Sequence, residues 1–266
     1  MRLEIKDNAK TELFVTCFQY FKNFTDSINI MFEENRMYVQ CMDNGMVIVL
    51  ELSLPNDWFD MYELTSEQSV TIGINTHTWS KVLAMKEKNQ TIKINTDDKD
   101  DKLLVAFCSE TKNEGEKSVP FNKEFEIPLM DIESELMEIP PTEYEADIIM
   151  QSTMFSSMVN QLKQFGEFVQ INCDENNVNF SSYSDVCGKM DANIDVSNLE
   201  EYAIDENAIL KMSYSLKYFY NISQFQKISK NIQLHLKDNF PIMLKYEIDG
   251  NGVLQFYIAP KIEDDI

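Results

Sequence analysis

The chain has 266 residues, 45 acidic and 23 basic side chains, and a formal net charge of −22. A self-repelling charge of that size keeps a protein dispersed, and it opposes contact with nucleic acid or an anionic membrane unless the charge is segregated. With 44% hydrophobic and 11% aromatic residues and only seven glycines and seven prolines, disordered, low-complexity and collagen-like classes are excluded, and the length fits one large domain or two of about 130 residues.

Taken in chain order, the first element is a strand near the N-terminus. Apolar residues at 14, 17, 18 and 21 then follow helical spacing. Ser27 begins an alternating run, an acidic Asn-containing turn and a second alternating run, the signature of a hairpin. Thr76–Lys88 reads as a helix, and T-I-K-I-N and L-L-V-A-F after it read as strands. Pro128–Tyr144 is acidic, closed by Pro140-Pro141 and without a steady period, so it reads as a connector. The pattern then starts again. At a constant offset of 141, Phe14, Phe18 and Phe21 meet Phe155, Val159 and Leu162, and Ile28 and Ile30 meet Val169 and Ile171. Ser215–Phe225 reads as the last helix, followed by I-Q-L-H-L and I-M-L-K-Y. Gly250 and Gly252 in D-G-N-G read as a hairpin turn.

The chain therefore contains an internal duplication. Its expected domains are 1–127 and 145–266, joined by a connector at 128–144. The expected fold class is α+β, with antiparallel sheets and helices gathered on one side. A doubly wound nucleotide fold is excluded because the strand–helix alternation is wrong.

Charge follows the same division. Residues 10–22, 76–88, 153–163 and 215–230 hold nine lysines and two glutamates, a sum of +7, which leaves −29 for the remainder of the −22 total. Lysines on helices can serve solubility alone. They can also form a sparse lining for a phosphate backbone, which fixes position without reading sequence.

Signs of catalysis are few. His77 and His235 stand apart from other ligand types, and no phosphate-binding glycine loop or G-x-S-x-G occurs. The D-D-K-D-D run at 97–101 reads as a solvated loop between strands rather than a magnesium site. The expectation is a protein that is not an enzyme and needs no cofactor or metal. Five dispersed cysteines without a C-x-x-C pair point to a reducing compartment. The absence of a signal-type or membrane-spanning apolar run points to a soluble intracellular protein without a membrane partner.

The ending L-Q-F-Y-I-A-P-K-I-E-D-D-I, with Y-V-Q-C-M-D-N-G-M-V, I-G-I-N-T-H-T-W-S-K-V-L and I-P-P-T-E-Y, resembles the proliferating cell nuclear antigen family, the eukaryotic and archaeal DNA sliding clamps. The resemblance runs over essentially the whole chain. It implies a homotrimer closed head to tail into a ring, with helices lining the hole and sheets outside, threaded by double-stranded DNA without sequence preference. It further implies a DNA polymerase processivity factor and docking platform, placed on DNA by an ATP-driven clamp loader. A checkpoint-type clamp subunit or a monomeric viral processivity factor remains the alternative. The expected location is the nucleus, or a cytoplasmic replication site for a viral member.

Site residues carry over by position. Of the family's basic helix positions, Lys22, Lys81 and Lys217 carry over as DNA-facing, while Val15, Thr16, Ala84, Ser157 and Asn160 are neutral where the family is usually basic; Lys86, Lys163 and Lys227 complete the expected DNA-facing set as lysines nearby that can compensate. A pocket for clients bearing a glutamine–aliphatic–aromatic motif would be formed by Met42, Met46, Val47, Val49, Met137, Ile139, Tyr144, Pro241, Tyr257, Ile258, Ala259 and Pro260. Met-rich and aromatic walls suit a pocket that accepts several partners. Subunit contact would pair Ser118–Ile127, with Phe121 and Phe125, against Val186–Ile194, with Val186, Gly188 and Met190.

Overall fold

A computed structural model describes residues 1–64, 69–96, 101–109, 121–133 and 135–261. Asp97, Asp98 and Asp100 of the acidic run, positions 118–120 of the expected interface strand and the final I-E-D-D-I lie outside the described residues. The chain divides into two units, one of residues 1–44, 51–136 and 248–253, the other of residues 45–50, 137–247 and 254–266.

The first unit opens with β1 (Arg2–Ile5) and α1 (Asn8–Gln19), followed by β2 (Ser27–Phe32), β3 (Arg36–Met42), β4 (Ile48–Pro55) and β5 (Met61–Glu63). Then come β6 (Val70–Asn75), α2 (Thr76–Leu83), β7 (Gln90–Asn95), β8 (Lys102–Ser109) and β9 (Lys123–Pro128). One row of strands runs β5-β1-β7-β8-β9 and another β4-β3-β2-β6. Leu3 of β1 stands opposite Tyr62 on one side and Ile94 on the other, both antiparallel. Residues of β4 alternate strictly, with Ile48, Leu50, Leu52 and Leu54 buried, as a sheet with one solvated face requires.

The second unit repeats this sequence of elements. It has β10 (Ala146–Gln151), α3 (Ser152–Leu162), β11 (Phe168–Cys173), β12 (Asn177–Ser184), β13 (Gly188–Asp195), β14 (Glu201–Ile204) and β15 (Leu210–Ser215). These are followed by α4 (Leu216–Ser223), β16 (Asn231–Leu236), β17 (Ile242–Ile248) and β18 (Gly252–Ile258). Its rows run β14-β10-β16-β17-β18 and β13-β12-β11-β15. As β1 lies between β5 and β7, so β10 lies antiparallel between β14 and β16. The first residues of β2 and β11, Ser27 and Phe168, are 141 apart, and those of β6 and β15, Val70 and Leu210, are 140 apart. The duplication read from the sequence is thus a duplication of topology, and the fold is the α+β, two-domain clamp fold.

Aromatic side chains join the helices in each unit. Trp79 of α2 meets Phe18 of α1 edge-on at 5.8 Å and Phe14 at 6.4 Å. At the equivalent place in the second unit, Phe155 of α3 lies 5.9 Å from Phe219 of α4. All five rings are fully buried, and such pairs add about 0.5–1.5 kcal/mol beyond the area they bury. Asp7 and Asn75 start α1 and α2 by accepting bonds from the backbone N–H groups of Lys10 and Thr78.

The helices are shorter than their sequence periods suggest. After Leu83 the chain tightens, with Met85 N bonding Val82 O and Lys86 N bonding Leu83 O. Asn89 then turns at φ 65°, one residue before β7. Similarly, α4 stops at Ser223, and Lys22 sits in a separate short 3-10 turn, Phe21–Asn23. The four helices themselves hold only Lys10, Lys81 and Lys217 against Glu12. Most of the +7 therefore belongs to the turns that follow the helices, where cations complement the helix dipole.

Gly250 and Asn251 turn between β17 and β18 with φ of 81° and 64°, as a primed hairpin turn needs. A second glycine fixes the beginning of the connector. Met130 forms an isolated antiparallel bridge with Gly73 of β6, with Met130 N donating to Gly73 O over 2.8 Å. Asn29 Nδ2 holds Ile132 O at 2.9 Å. A Cβ at Gly73 would stand 2.2 Å from Met130 O, closer than any side chain can approach backbone. Gly73→Ala is therefore expected to lift Met130 off β6 and to cost about 1–3 kcal/mol, measured by chemical denaturation. Unchanged stability with unchanged proteolysis of 129–133 would refute this.

Candidate functional site

The exposed face of each helix pair carries the candidate DNA contacts. Lys22, Lys81, Lys163, Lys217 and Lys227 are exposed, and among the described residues none of them is in an ion pair. Lys163 lies over the Tyr220 ring at 3.5 Å from its centroid, and Lys217 lies beside Tyr218 at 5.3 Å. These rings hold the long stems near the helices while the ammonium groups stay solvated. Lys86 differs. It is half-buried, and burial lowers its pKa, opposed in part by Glu12. Lys10 is committed elsewhere, since its Nζ donates to Trp58 O at 2.7 Å. Lys230 is 3.6 Å from Glu200. On α3 the exposed side chains are Thr153, Ser157, Asn160 and Gln161, without a cation. Asn160 and Gln161 instead bond back to the carbonyls of Ser156 and Ser157. The positive face is thus a few separated charges.

The expected partner pocket is built mainly from the second unit. Alternation along β4 turns Val49 outward while Ile48 and Leu50 go inward, and Val47, just before it, is likewise half-buried. Met46 is 77% exposed and adopts φ 53°. Ala259 N donates to Val47 O at 2.9 Å, so the tail after β18 lies beside this segment. Two residues on, Lys261 N donates to Ser213 O at 2.7 Å. The next residue of β15, Tyr214, points its hydroxyl at Phe240 O, 3.4 Å away, and the Phe240 ring lies 6.4 Å from Tyr144. Backbone and ring contacts therefore gather Val47, Ala259, Tyr144 and the loop bearing Pro241. Tyr257, Ala259, Pro260, Met137 and Ile139 are all half-buried.

One member of the expected set lies in the core. Ile258 is 0% exposed, because strand alternation directs it inward when Tyr257 faces out. Met42 ends β3 and is half-buried. Phe240 and His235, which touch Tyr144, were not on the expected list. Their sequence signal was hidden, since a Phe in a polar turn and a His in a strand look ordinary until Tyr144 packs against them.

The two expected contact strands are edges. β9 ends the row β5-β1-β7-β8-β9, and β13 ends β13-β12-β11-β15. On β9, Phe125 packs on Phe107 at 5.4 Å, while Glu124 and Glu126 are exposed. Phe121 is 56% exposed just before the strand. Val186 is 94% exposed, Gly188 turns at φ 79°, and Met190 is half-buried. An edge with an apolar border pairs readily with another chain.

A further recess of about 340 Å³ is lined by Ile149, Glu200, Glu201, Ser229, Lys230, Asn231, Gln233 and Glu247, and it contains none of the expected pocket residues. Burial pushes the Cys17 and Cys41 thiols up to about 12 and that of Cys173 to about 11, so these groups stay protonated at neutral pH. Among the described residues no group of three or more His, Cys, Asp or Glu is arranged to hold a metal ion, and no helix is long and apolar enough to cross a membrane.

Comparison with known proteins fits this geometry. Residues 3–136 match the description "Proliferating cell nuclear antigen, N-terminal domain" and residues 138–261 match "Proliferating cell nuclear antigen, C-terminal domain". A proliferating cell nuclear antigen of Chaetomium thermophilum is 28% identical over 250 residues, covering 92% of each chain. The two matched regions span nearly the whole sequence, one for each unit of the duplication, and the chain belongs to the proliferating cell nuclear antigen family of DNA sliding clamps.

Proposed function

We propose that three copies of this chain close head to tail into a ring around duplex DNA, and that the ring serves as a polymerase processivity factor and docking platform. The observation that carries the reading is the duplicated pair of helices, each pair with solvated lysines on or just after its helices. Closure makes dissociation a topological matter, so a few weak phosphate contacts suffice and sliding stays cheap. A client docked on the ring is held at high effective concentration near the DNA. The ring is opened by an ATP-driven loader and works in the nucleus, as the name of the relative suggests.

In this reading the folded domains are 1–127 and 145–266, and residues 128–144 are the connector over the client pocket. The pocket comprises Met42, Met46, Val47, Val49, Met137, Ile139, Tyr144, Pro241, Tyr257, Ala259 and Pro260. It accepts a glutamine–aliphatic–aromatic motif. β9 with Phe121 and Phe125 pairs with β13, Val186 and Met190 of the next copy, a heterologous contact that closes after three steps.

Light scattering distinguishes a 31.0 kDa monomer from a trimer of three times that mass, about 93 kDa. The ring reading also expects retention on circular DNA and release once the circle is cut. Release before cutting, or a monomer at micromolar concentration, would sink it. Charge reversal by Lys81→Glu with Lys217→Glu should lower processivity, most at low salt, and flatten its salt dependence, since each lost phosphate contact removes about 0.9 from the log–log slope. Processivity equal to the parent's at every salt concentration would remove these lysines from the DNA surface. Tyr257→Ala and Met137→Asp should weaken binding of a motif peptide by roughly 1–3 kcal/mol while leaving the trimer intact; an unchanged titration counts against the pocket.

A further inference from the structure

The connector ends at Tyr144, and two aromatic neighbours hold that ring. Its centroid is 5.6 Å from the His235 imidazole and 6.4 Å from Phe240, the latter edge-on at 73°. Tyr144 is half-buried, and burial raises its pKa.

His235 is itself tightly oriented. It stands on the solvated face of β16, directly opposite Asp147 of β10 in the antiparallel register. Its Nδ1 meets Asp147 Oδ1. Its other nitrogen, Nε2, lies 3.4 Å from Gln233 Oε1. The Gln233 amide cannot turn freely, because its Nε2 donates to Glu247 Oε1 at 3.0 Å on β17. Lys245 Nζ holds the same carboxylate oxygen at 3.0 Å. A chain of polar contacts thus crosses β17, β16 and β10 and fixes the plane of one imidazole. The Nδ1 contact with Asp147 sets the orientation of the ring, the Gln233 amide flanks its other edge, and Tyr144 packs against the ring so held.

Here we propose that His235 is a positioning residue for client binding. It touches no client itself; it holds Tyr144, and through it the C-terminal end of the connector, in the form that accepts a partner motif. The proposal rests on the client-pocket reading above. Preorganising a mobile wall lowers the ordering cost that a ligand would otherwise meet on binding.

The test uses the full-length chain with two independent readouts. One is the rate of cleavage in the connector by a Glu-specific protease, which has targets at Glu138 and Glu143. The other is the affinity of a fluorescent glutamine–aliphatic–aromatic motif peptide. His235→Leu is expected to speed connector cleavage and to weaken the peptide about two- to tenfold, the range of one aromatic contact. Melting temperature and oligomeric mass should not move. Tyr144→Ala should give at least the same loss, and the double variant should lose no more than Tyr144→Ala alone, because His235 acts only through Tyr144. His235→Phe, which keeps a ring beneath Tyr144, should restore affinity to within about twofold of the parent.

Additive losses in the double variant, or unchanged cleavage and affinity in His235→Leu, would overturn the proposal. Those results leave the pocket standing if Tyr257→Ala still weakens the peptide. A parent protein that binds no peptide would instead overturn the pocket reading and this one with it.

Discussion

Everything functional in this chain depends on how two short helices are held in each unit. A helix of 8–12 residues has little stability of its own in water, so tertiary packing must keep it folded. Phe14 and Phe18 against Trp79 supply that packing in the first unit, and Phe155 against Phe219 supplies it in the second. Because each ring is buried on one face, the opposite face of each helix is solvent-exposed and free to carry charge. The core therefore decides which residues face solvent.

That constraint explains how a chain of net charge −22 can still present a weakly cationic surface. Lysines are spared from the core faces and collect at the exposed faces and in the turns that follow the helices, where dipole and solvent both favour them. The surface is thin. Lys86 is half-buried, Lys10 is spent on Trp58, and α3 offers amides instead of cations. A surface of this kind has too little charge to hold a polyanion tightly by attraction alone.

Much of the fold was legible because periodicity reports burial. Ser27–Phe32 and its counterpart 141 residues on, Phe168–Cys173, alternate in burial, and each forms a hairpin with the strand after it, although Arg36–Met42 buries four residues in succession. The ends of the helices were not legible. Met85, Lys86 and Lys88 continue a passable helical pattern, yet the chain turns at Asn89 so that β7 can reach β1. Among the site residues, Tyr257, Val49 and Ile258 were all assigned to the pocket on family likeness; Tyr257 and Val49 are half-buried, whereas Ile258 lies in the core. A strand exposes only every second residue, so neighbours in a motif cannot share one surface.

By itself the sequence determined the duplication, the α+β class, the strand and helix order, the segregation of charge and the family. All of these are properties of composition, period and short motifs, which neighbouring residues express locally. Only the tertiary structure decided that Gly73 must lack a Cβ to admit Met130, that Lys10 is occupied by Trp58, and that His235, Asp147, Phe240 and Tyr144 come together at the end of the connector. These contacts join residues from about 48 to 96 positions apart. Their closeness depends on strand register and on where each loop returns, and no local pattern records either.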